Sequence, residues 1–387
     1  MTLKDRLNVL MALSNDSLGG VETYALEFSK ALREAGHGVT VVSPTDVLLG
    51  KCRAEGIPYV KIPDFRFRDR PGTLNLFPAF VAGLFIFRRI VRRERIDVIN
   101  VHAASTSLLD LLWLYRSIFS TPVVCTMHGK VPVESGHFVS ALHRLYRRAD
   151  AVVCISEEVR EDCIDHFGVR DDVYIVPNGV VLPSRQPIGG GEKKVILMIS
   201  RLDSDKFAAV EGLIRATPIV VTDHPDHEVW IVGGGSMLER AREMATEENH
   251  RLGREAIRLM GEVDPDEIPS LIGSSIIVVG AGRAAIEGMA HGKPVIFLSS
   301  GGLGGFLVED NVEQIRRHNF SGRNGKEDYG PEGIGRALLE LIENPAVAER
   351  TARLSAFLAQ ELDMAAVADH LGVVLRCSMG SRGWETR

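Results

Sequence analysis

Two cations on one loop form the first candidate for chemistry in this chain. Residues 200–206, Ser-Arg-Leu-Asp-Ser-Asp-Lys, directly follow an apolar run. Arg201 offers phosphate oxygens a planar fork of donors, and Lys206 offers a point charge. Both side chains leave the predicted carboxyl end of a strand, where α/β proteins bind ligands. The loop is therefore a candidate site for a diphosphate leaving group, and a solvated surface loop is the alternative.

A second anion-binding pattern lies in residues 280–299, where a glycine turn follows an apolar strand pattern and opens a short helix. The turn contains Gly282 and Arg283. The first N–H groups of a helix have no partner within the helix and the dipole is positive at that end, so a phosphate is favoured there. Glu287, on the same short helix, can accept hydrogen bonds from both hydroxyls of a ribose. An ordinary surface acid is the alternative.

The first half of the chain places glycines and histidines at predicted strand ends. Gly19 and Gly20 stand at the start of a predicted helix, where the missing side chains allow the backbone to approach a ligand closely. A tight turn explains the glycine pair equally well. His102 and His128 each follow an apolar strand pattern, and each is either a functional imidazole or a structural hydrogen-bonding residue.

Metal binding is the less favoured interpretation of the acidic residues in the 200–206 loop. Asp203 and Asp205 form an Asp-x-Asp pair that could hold a divalent ion. The cations beside the pair indicate instead a site that neutralises phosphate without an ion. We therefore expect no metal and no cofactor.

Strand and helix patterns alternate along the chain and predict an α/β protein with parallel sheets and helical crossovers. The segment 183–191, Pro-Ser-Arg-Gln-Pro-Ile-Gly-Gly-Gly, has no periodicity and indicates a linker. We predict two doubly wound Rossmann-like domains, 1–182 and 192–378, and a flexible tail at 379–387. Two such sheets that face each other would form a ligand-binding cleft between the domains.

Charge and hydropathy indicate a cytoplasmic protein with an anionic partner. The net charge is −6, but residues 1–150 carry 20 Lys and Arg against 14 Asp and Glu. The segment Phe85 to Arg95 is basic and amphipathic, which suits either an anionic membrane surface or a domain helix with its arginines in water. The five cysteines have no paired spacing and indicate reduced thiols. We predict no membrane span and no nucleic-acid partner, and at most a peripheral association with the inner face of the membrane.

These segments resemble, in order along nearly the whole chain, the motifs of the retaining nucleotide-sugar glycosyltransferases of family four, which have the GT-B architecture. The matching segments are Gly19-Gly20-Val21-Glu22-Thr23, Asp97 to His102, Met127-His128-Gly129, Ala149 to Ser156, Val176 to Val180, Ser200-Arg201-Leu202 with Lys206, Ile231 to Gly235, and Glu287 to Ile296. Each motif is weak alone. Their order and spacing together carry the resemblance.

The resemblance implies that a sugar is transferred from a nucleoside diphosphate to an acceptor with retention at the anomeric carbon. It also implies that Arg201 and Lys206 bind the diphosphate, that Glu287 binds the ribose, and that the loop at Gly20 approaches the phosphates. His128 would lie near the reacting sugar carbon. The remaining predicted donor-binding residues are Gly19, Gly233, Gly282 and Arg283. The implied acceptor is a glycan, a lipid-linked sugar or a small molecule.

One position departs from the family pattern. Eight residues before Glu287, where the family has a glutamate that contacts the donor sugar, this chain has Val279. We therefore expect donor recognition to differ, through residues 280–283 or through the glycine-rich turn at 301–305. Three functions stay open, namely an active transferase, a catalytically silent sugar-nucleotide-binding or partner subunit, and a sugar-nucleotide epimerase with the same fold.

Overall fold

The computed structural model describes residues 6–14, 19–63, 76–102, 105–131, 136–183, 194–325 and 330–380, with the backbone alone for residues 76–80. The chain forms two compact units. The first consists of Met1–Gly179 together with Met364–Arg387, and the second of Val180–Asp363.

The first unit is built on a seven-stranded sheet. Its strands are β1 (Asn8–Ala12), β2 (Gly38–Ser43), β3 (Tyr59–Lys61), β4 (Val98–Val101), β5 (Val123–Met127), β6 (Ala151–Cys154) and β7 (Val173–Ile175), and its helices between them are α1 (Gly20–Glu34), α2 (Leu49–Ala54), α3 (Leu76–Arg93), α4 (Thr106–Ile118), α5 (Gly136–Arg148) and α6 (Glu157–Phe167). All seven strands are parallel, in the order β3-β2-β1-β4-β5-β6-β7. The central strands are apolar runs because helices bury both faces of such a sheet.

A buried ion pair fixes the start of the two strands β5 and β6. Asp150 accepts hydrogen bonds from Nε and Nη2 of Arg116, both at 2.5 Å, and from the backbone N–H of Val123 at 2.9 Å. Both charged side chains are almost fully buried. Removing either partner would leave an uncompensated charge in the core. This pair helps to set the position of β5 and hence of the histidine that follows it.

The second unit is built on a six-stranded sheet. Its strands are β8 (Lys194–Ile199), β9 (His227–Val232), β10 (Ile257–Gly261), β11 (Ser275–Gly280), β12 (Val295–Ser299) and β13 (Gly302–Phe306), and its helices are α7 (Phe207–Val221), α8 (Leu238–Leu252), α9 (Ile268–Ser274), α10 (Arg283–Ala290), α11 (Val312–Arg317), α12 (Pro331–Glu343) and α13 (Pro345–Glu361). The order is β10-β9-β8-β11-β12-β13, and only β13 is antiparallel to its neighbour.

The glycine-rich segment 301–305, expected to be a turn, contributes most of strand β13. It pairs with β12 and lies very close to a second glycine segment. A Cβ atom on Gly302, whose φ is +151°, would lie 2.2 Å from the carbonyl oxygen of Gly325. The glycine at 302 is therefore explained by this backbone contact.

Helix α14 (Met364–Ser378) corrects the predicted domain boundary at 378. It packs against α1, β5 and β6 and so belongs to the first unit. Its apolar face lies in the core of that unit through Met364, Val367, Ala368, Leu371, Val374 and Leu375. The chain therefore returns to its first unit after completing the second.

The predicted fold class, two doubly wound Rossmann-like α/β domains, is confirmed. Apart from Pro183, the predicted linker at 183–191 lies outside the described residues, as does the predicted tail apart from Met379 and Gly380. Within the described part of the chain, no helix has both the length and the hydropathy of a membrane span.

Candidate active site

The second sheet reverses its strand order beside β8. The chain proceeds from β8 to β9 and β10 on one side, and then to β11 and β12 on the other. The loops after β8 and β11 thus leave the switch point, where open α/β sheets bind ligands. The first loop carries Arg201 and Lys206, and the second carries Gly282 and leads into α10. Both predicted anion-binding patterns therefore lie at one edge of this sheet.

The loop after β8 packs directly on the glycine turn after β9. The N–H of Leu202 donates to the carbonyl of Gly234 at 2.7 Å. Gly233 has a φ of +141°, and a Cβ atom there would lie 1.9 Å from the carbonyl oxygen of Ser200. The close packing of these two loops therefore requires glycine at 233.

Asp203 ties these two loops together. Its Oδ1 accepts hydrogen bonds from the backbone N–H of Ser236 at 3.0 Å and from the Ser236 hydroxyl at 3.1 Å. Its Oδ2 lies 2.8 Å from Nη1 of Arg201. The hydrogen bonds from Ser236, with the charge of Arg201, hold the pKa of Asp203 below its usual range. Ser236 was not predicted, because nothing in the sequence shows that the turn after β9 reaches this carboxylate.

Asp205 makes looser contacts with the two cations. It lies 3.4 Å from Nη2 of Arg201 and 3.8 Å from Nζ of Lys206, and all three side chains are about half exposed. Exposed ion pairs of this length stabilise a protein very little. A doubly charged anion can therefore displace Asp205 and bind both cations. Lys206 also directly precedes α7, whose positive dipole end favours an anion at the same place.

Helix α10 begins at a glycine that the backbone requires. Gly282 has φ +55° and ψ −122°, a conformation that residues with a side chain rarely adopt. Its N–H donates to the carbonyl of Phe320 at 2.8 Å. Asn319 and Phe320 themselves both have a positive φ. This edge of the sheet therefore holds a chain segment in a strained conformation.

Glu287 is paired rather than unpartnered. Nε of Arg283, one turn earlier on α10, donates to Oε1 of Glu287 at 2.8 Å. Within the described residues, Oε2 of Glu287 has no hydrogen-bond partner. The arrangement leaves one carboxylate oxygen for a ligand hydroxyl and holds the other on Arg283.

Val279 lies inside strand β11, which explains why this position is not acidic. Its side chain is fully buried, and its backbone is in register with Ile296 on β12 and Met198 on β8. The strand continues to Gly280 and α10 starts only three residues later. A carboxylate at 279 would be buried in the sheet without a charge partner, which is costly.

The first sheet reverses its strand order beside β1, so its switch point lies between β1 and β4. Gly19 and Gly20 start the helix that follows β1. Oε2 of Glu22 accepts the N–H of Gly19 at 2.9 Å and fixes this helix start. Gly20 is exposed, and no described atom lies within 4 Å of where its Cβ would stand. No contact in the described part of the protein therefore requires glycine at 20.

His128, at the end of β5, contacts His102, at the end of β4. Nε2 of His128 lies 3.0 Å from Nδ1 of His102, and Nε2 of His102 lies 3.3 Å from Sδ of Met11. Burial lowers the pKa of His128 to about 3. Burial, together with the neighbouring His128, lowers the pKa of His102 well below its usual range. Both imidazoles are therefore neutral at neutral pH.

The predicted site residues thus fall into two groups. The second unit holds Arg201, Lys206, Gly233, Gly282, Arg283 and Glu287 around the carboxyl ends of β8, β9 and β11, and the first unit holds Gly19, Gly20 and His128 around those of β1 and β5. The contact between His102 and His128 was not predicted. Its only signal in the sequence is that both residues follow strands that turn out to be neighbours.

Known protein families match both units. Residues 18–182 match the family described as Glycosyltransferase Family 4, and residues 193–344 match the family described as Glycosyl transferases group 1. The chain belongs to the family 4 type of glycosyltransferase. This glycosyltransferase is similar in structure to the HepE protein of Anabaena in complex with UDP and glucose, with a TM-score of 0.70 and 17% identity over 95% of this chain and 99% of that one. The likeness shows the GT-B fold.

Two curated relatives of this glycosyltransferase act on related lipids. One is the phosphatidyl-myo-inositol mannosyltransferase of Propionibacterium freudenreichii, 25% identical over 348 residues, which are 84% of each chain. Another is the GPI3 subunit of the phosphatidylinositol N-acetylglucosaminyltransferase of Saccharomyces cerevisiae. It is 26% identical over 271 residues, which are 66% of this chain and 58% of the yeast protein.

Proposed function

We propose that the protein transfers a sugar from a nucleoside diphosphate sugar to a phosphatidylinositol-type lipid, with retention at the anomeric carbon. The proposal of a nucleoside diphosphate sugar as donor rests on Arg201 and Lys206, which lie at the switch point of the second sheet. Both side chains are about half exposed, and among the described residues they are held only by the long contacts with Asp205 and, for Arg201, by Asp203. They can neutralise the charge that develops on a departing diphosphate, which is where electrostatic catalysis acts.

Retention follows if the acceptor attacks from the face that the diphosphate leaves. The bond between the anomeric carbon and the phosphate oxygen breaks, and the acceptor oxygen bonds to that carbon on the same face. The proton of the acceptor hydroxyl passes to the leaving phosphate oxygen, so no protein nucleophile is required. The protein then supplies charge stabilisation and orientation, and we assign these tasks to Arg201 and Glu287.

The proposal of a phosphatidylinositol-type acceptor rests on the lipid that the names of the two curated relatives share. One is named for transferring mannose and the other for transferring N-acetylglucosamine, but both names give phosphatidylinositol as the acceptor. A property common to relatives that differ in donor sugar is the better guide to this chain. The donor sugar is left to experiment.

A transfer assay tests this proposal. The purified full chain is incubated with vesicles that contain phosphatidylinositol and with a panel of nucleoside diphosphate sugars, and the lipid product is identified by mass spectrometry. We expect one glycosylated phosphatidylinositol, with the anomeric configuration of the donor by NMR. Donor binding without turnover would favour the silent subunit, and an isomerised donor would favour the epimerase.

We also propose that transfer needs no divalent metal. Asp203, the better placed of the two loop carboxylates, is already occupied by Ser236 and Arg201. Within the described residues, no cluster of three or more His, Cys, Asp or Glu side chains is arranged to hold a metal ion. The same assay in excess chelator should give the same rate. A strict metal requirement would contradict this part of the proposal.

Helix α3 is the element we propose to contact the lipid surface. Its inner face is in the core through Leu84, Phe87 and Ile90, as expected of a domain helix. On its outer face, Phe85 is 69% exposed, and it lines one open groove with Arg88, Arg89, Arg92 and Arg93. An exposed aromatic ring beside several arginines suits the interface of an anionic membrane.

Sedimentation with vesicles tests the role of α3. Each basic residue near an anionic surface contributes about 1 kcal/mol, so the triple variant R89A/R92A/R93A should bind vesicles containing phosphatidylinositol about a hundredfold more weakly. Phe85→Ser should also weaken binding. Phe357→Ser is the control, because Phe357 is similarly exposed, at 59%, on α13 of the other unit. Equal binding by all these variants would contradict the proposal.

A further inference from the structure

Three side chains lie in a row across the carboxyl edge of the first sheet. They are Met11 on β1, His102 after β4 and His128 after β5. Strand β4 pairs with both β1 and β5, so the sheet register sets the order of the row. The two contacts along the row, 3.3 Å between Met11 Sδ and His102 Nε2 and 3.0 Å between His102 Nδ1 and His128 Nε2, are both within hydrogen-bonding distance.

The sulfur atom at one end determines where the protons in this row lie. A thioether has no hydrogen to donate and can only accept, weakly. Nε2 of His102 therefore carries the hydrogen and donates it to Met11. Because His102 is neutral, its Nδ1 has a lone pair and must accept from His128. Nε2 of His128 then carries the hydrogen, and Nδ1 of His128 is left with a lone pair.

The opposite arrangement of protons is unfavourable. It would place the lone pair of His102 Nε2 against the lone pairs of Met11 Sδ, with no donor for either atom. His102 is only 3% exposed, so water does not satisfy that nitrogen. A buried acceptor without a partner costs a large part of its solvation free energy.

Packing holds both rings in the orientation that these hydrogen bonds need. The ring of Tyr24 meets His128 edge-on, with centroids 4.7 Å apart and an interplanar angle of 82°. The same ring lies 5.6 Å from His102 and stacks on Phe28 at 4.2 Å. Tyr24, which is itself buried, therefore packs against both imidazoles.

We propose that His102 is a positioning residue that fixes His128 in the tautomer protonated at Nε2, so that Nδ1 of His128 accepts a hydrogen bond from a substrate hydroxyl. The inference rests on the proposed function, because the hydroxyl belongs either to the donor sugar or to the acceptor. Within the described residues, Nδ1 of His128 has no hydrogen-bond partner. A nitrogen that only accepts discriminates against phosphate and carboxylate oxygens, which have no hydrogen to give at neutral pH.

The tautomers can be measured without any substrate. Long-range proton–nitrogen correlation NMR on the full chain with 15N-labelled histidine distinguishes protonated ring nitrogens from those with a lone pair. We expect lone pairs on Nδ1 of both residues and hydrogens on Nε2 of both, with assignments from the variants His102→Asn and His128→Asn. A hydrogen on Nδ1 of His128 would overturn the proposal.

Kinetics of two His102 variants separate positioning from packing. In His102→Asn the amide oxygen can take the place of Nδ1 and still accept from His128, whereas His102→Phe fills the space without an acceptor. We expect kcat/KM to fall about tenfold to a hundredfold in the phenylalanine variant. The asparagine variant should lose much less. Unchanged kcat/KM in the phenylalanine variant, or equal losses in both, would overturn the proposal.

His37→Phe is the matched control for loss of a buried histidine. His37 is buried in the same unit, outside the row, and its Nδ1 accepts from the N–H of Leu7 at 3.1 Å. The control should lose stability but keep kcat/KM.

The source of the hydroxyl follows from which constant changes in His102→Phe. A higher KM for the donor indicates the sugar, and a higher KM for the lipid indicates the acceptor. If the wild-type chain transfers no sugar, the proposed function fails, but the NMR experiment still decides the tautomer.

Discussion

Two aspartates in the loop after β8 have different partners and therefore different effects. Asp203 is hydrogen-bonded to Ser236 and orients the guanidinium of Arg201 at 2.8 Å. In the described part of the chain, Asp205 meets only the two cations, at longer distances. In the proposed function, a diphosphate would replace Asp205 and leave Asp203 in place. One carboxylate thus holds the loop in shape, and the other balances its charge.

Arg201 and Lys206 should each be essential for efficient donor use. We expect Arg201→Ala and Lys206→Ala each to remove about 2 to 4 kcal/mol of transition-state stabilisation, because each loses a charge that faces the leaving group. Steady-state kcat/KM for the donor measures this loss. Arg215→Ala is the control, since Arg215 is about half exposed on α7 and pairs with Glu211 on the same helix. Near-normal turnover in both loop variants would remove the diphosphate assignment.

The imidazoles of His102 and His128 make the stability of the first unit depend on pH. The pKa of His128 is lowered to about 3 and that of His102 well below its usual value. Below about pH 6.5 the unfolded chain binds protons that these folded residues do not bind, so acidification lowers the free energy of unfolding. The expected slope is about 1.4 kcal/mol per pH unit for each histidine.

Urea unfolding at pH 7, 6 and 5 measures this slope. The slope in the double variant H102N/H128N should be smaller by the contribution of two protons, while the contribution of other groups, such as His37, whose pKa burial also lowers, should remain. The same slope in wild type and double variant would show that other groups cause the acid sensitivity.

The sequence predicted the two cations, but it could not predict their partners. Charged residues after an apolar run indicate a loop at the end of a strand. The structure has Arg201 and Lys206 in such a loop, after β8. The bonds from Ser236 to Asp203 and between His102 and His128 join residues 33 and 26 positions apart. Such contacts depend on strand order, which periodicity does not reveal.

At the scale of elements, helix α1 begins with a glycine that no described packing contact requires. Gly20 is the first helical residue, is exposed, and has no described atom within 4 Å of the place where a Cβ would stand. Glycine lowers helix stability relative to alanine by up to about 1 kcal/mol. A residue that weakens its own helix and packs against no described side chain fits the proposal that a ligand approaches the backbone here.

Gly20→Ala should therefore change stability and activity in opposite directions. We expect the free energy of unfolding to stay equal or rise by up to about 1 kcal/mol, while kcat/KM for the donor falls more than about tenfold because the methyl group occupies ligand space. Urea unfolding and initial rates measure the two effects.

Gly50→Ala provides a matched control for this prediction. Gly50 is also an exposed helical glycine with no described atom within 4 Å of a Cβ, but it lies at the start of α2, which follows β2 and neither of the two switch-point strands, β1 and β4. It should share the stability effect and keep full activity. Full activity in both variants would assign Gly20 to a simple helix start.

The exact end of strand β11 explains why position 279 has no acid. The sequence predicted an apolar strand before the glycine turn at residues 280–283, with that turn expected to compensate for Val279. The structure extends β11 to Gly280, so position 279 lies between two neighbouring strands. Apolar periodicity locates a strand well, but it does not show whether its last residue is in the sheet or in the loop.

At the scale of the whole molecule, the chain order does not follow the division into units. Helix α14, the last described helix, completes the core that the first strands began. The sequence placed this helix in the second domain because it follows that domain without a break in helical pattern. An amphipathic helix shows which of its faces is apolar, but not which core that face will cover.

A substitution near the C-terminus should therefore destabilise the first unit. Leu371 on α14 is fully buried in that core, so Leu371→Ala should lower its stability by about 2 to 5 kcal/mol through the cavity it leaves. Amide hydrogen exchange should then speed up in β1, β4, β5 and β6, while β8 and β9 keep their protection. Val373→Ala, at a site 48% exposed on the same helix, should change neither. Faster exchange in β8 and β9 alone would place α14 with the second core, as its position in the chain suggested.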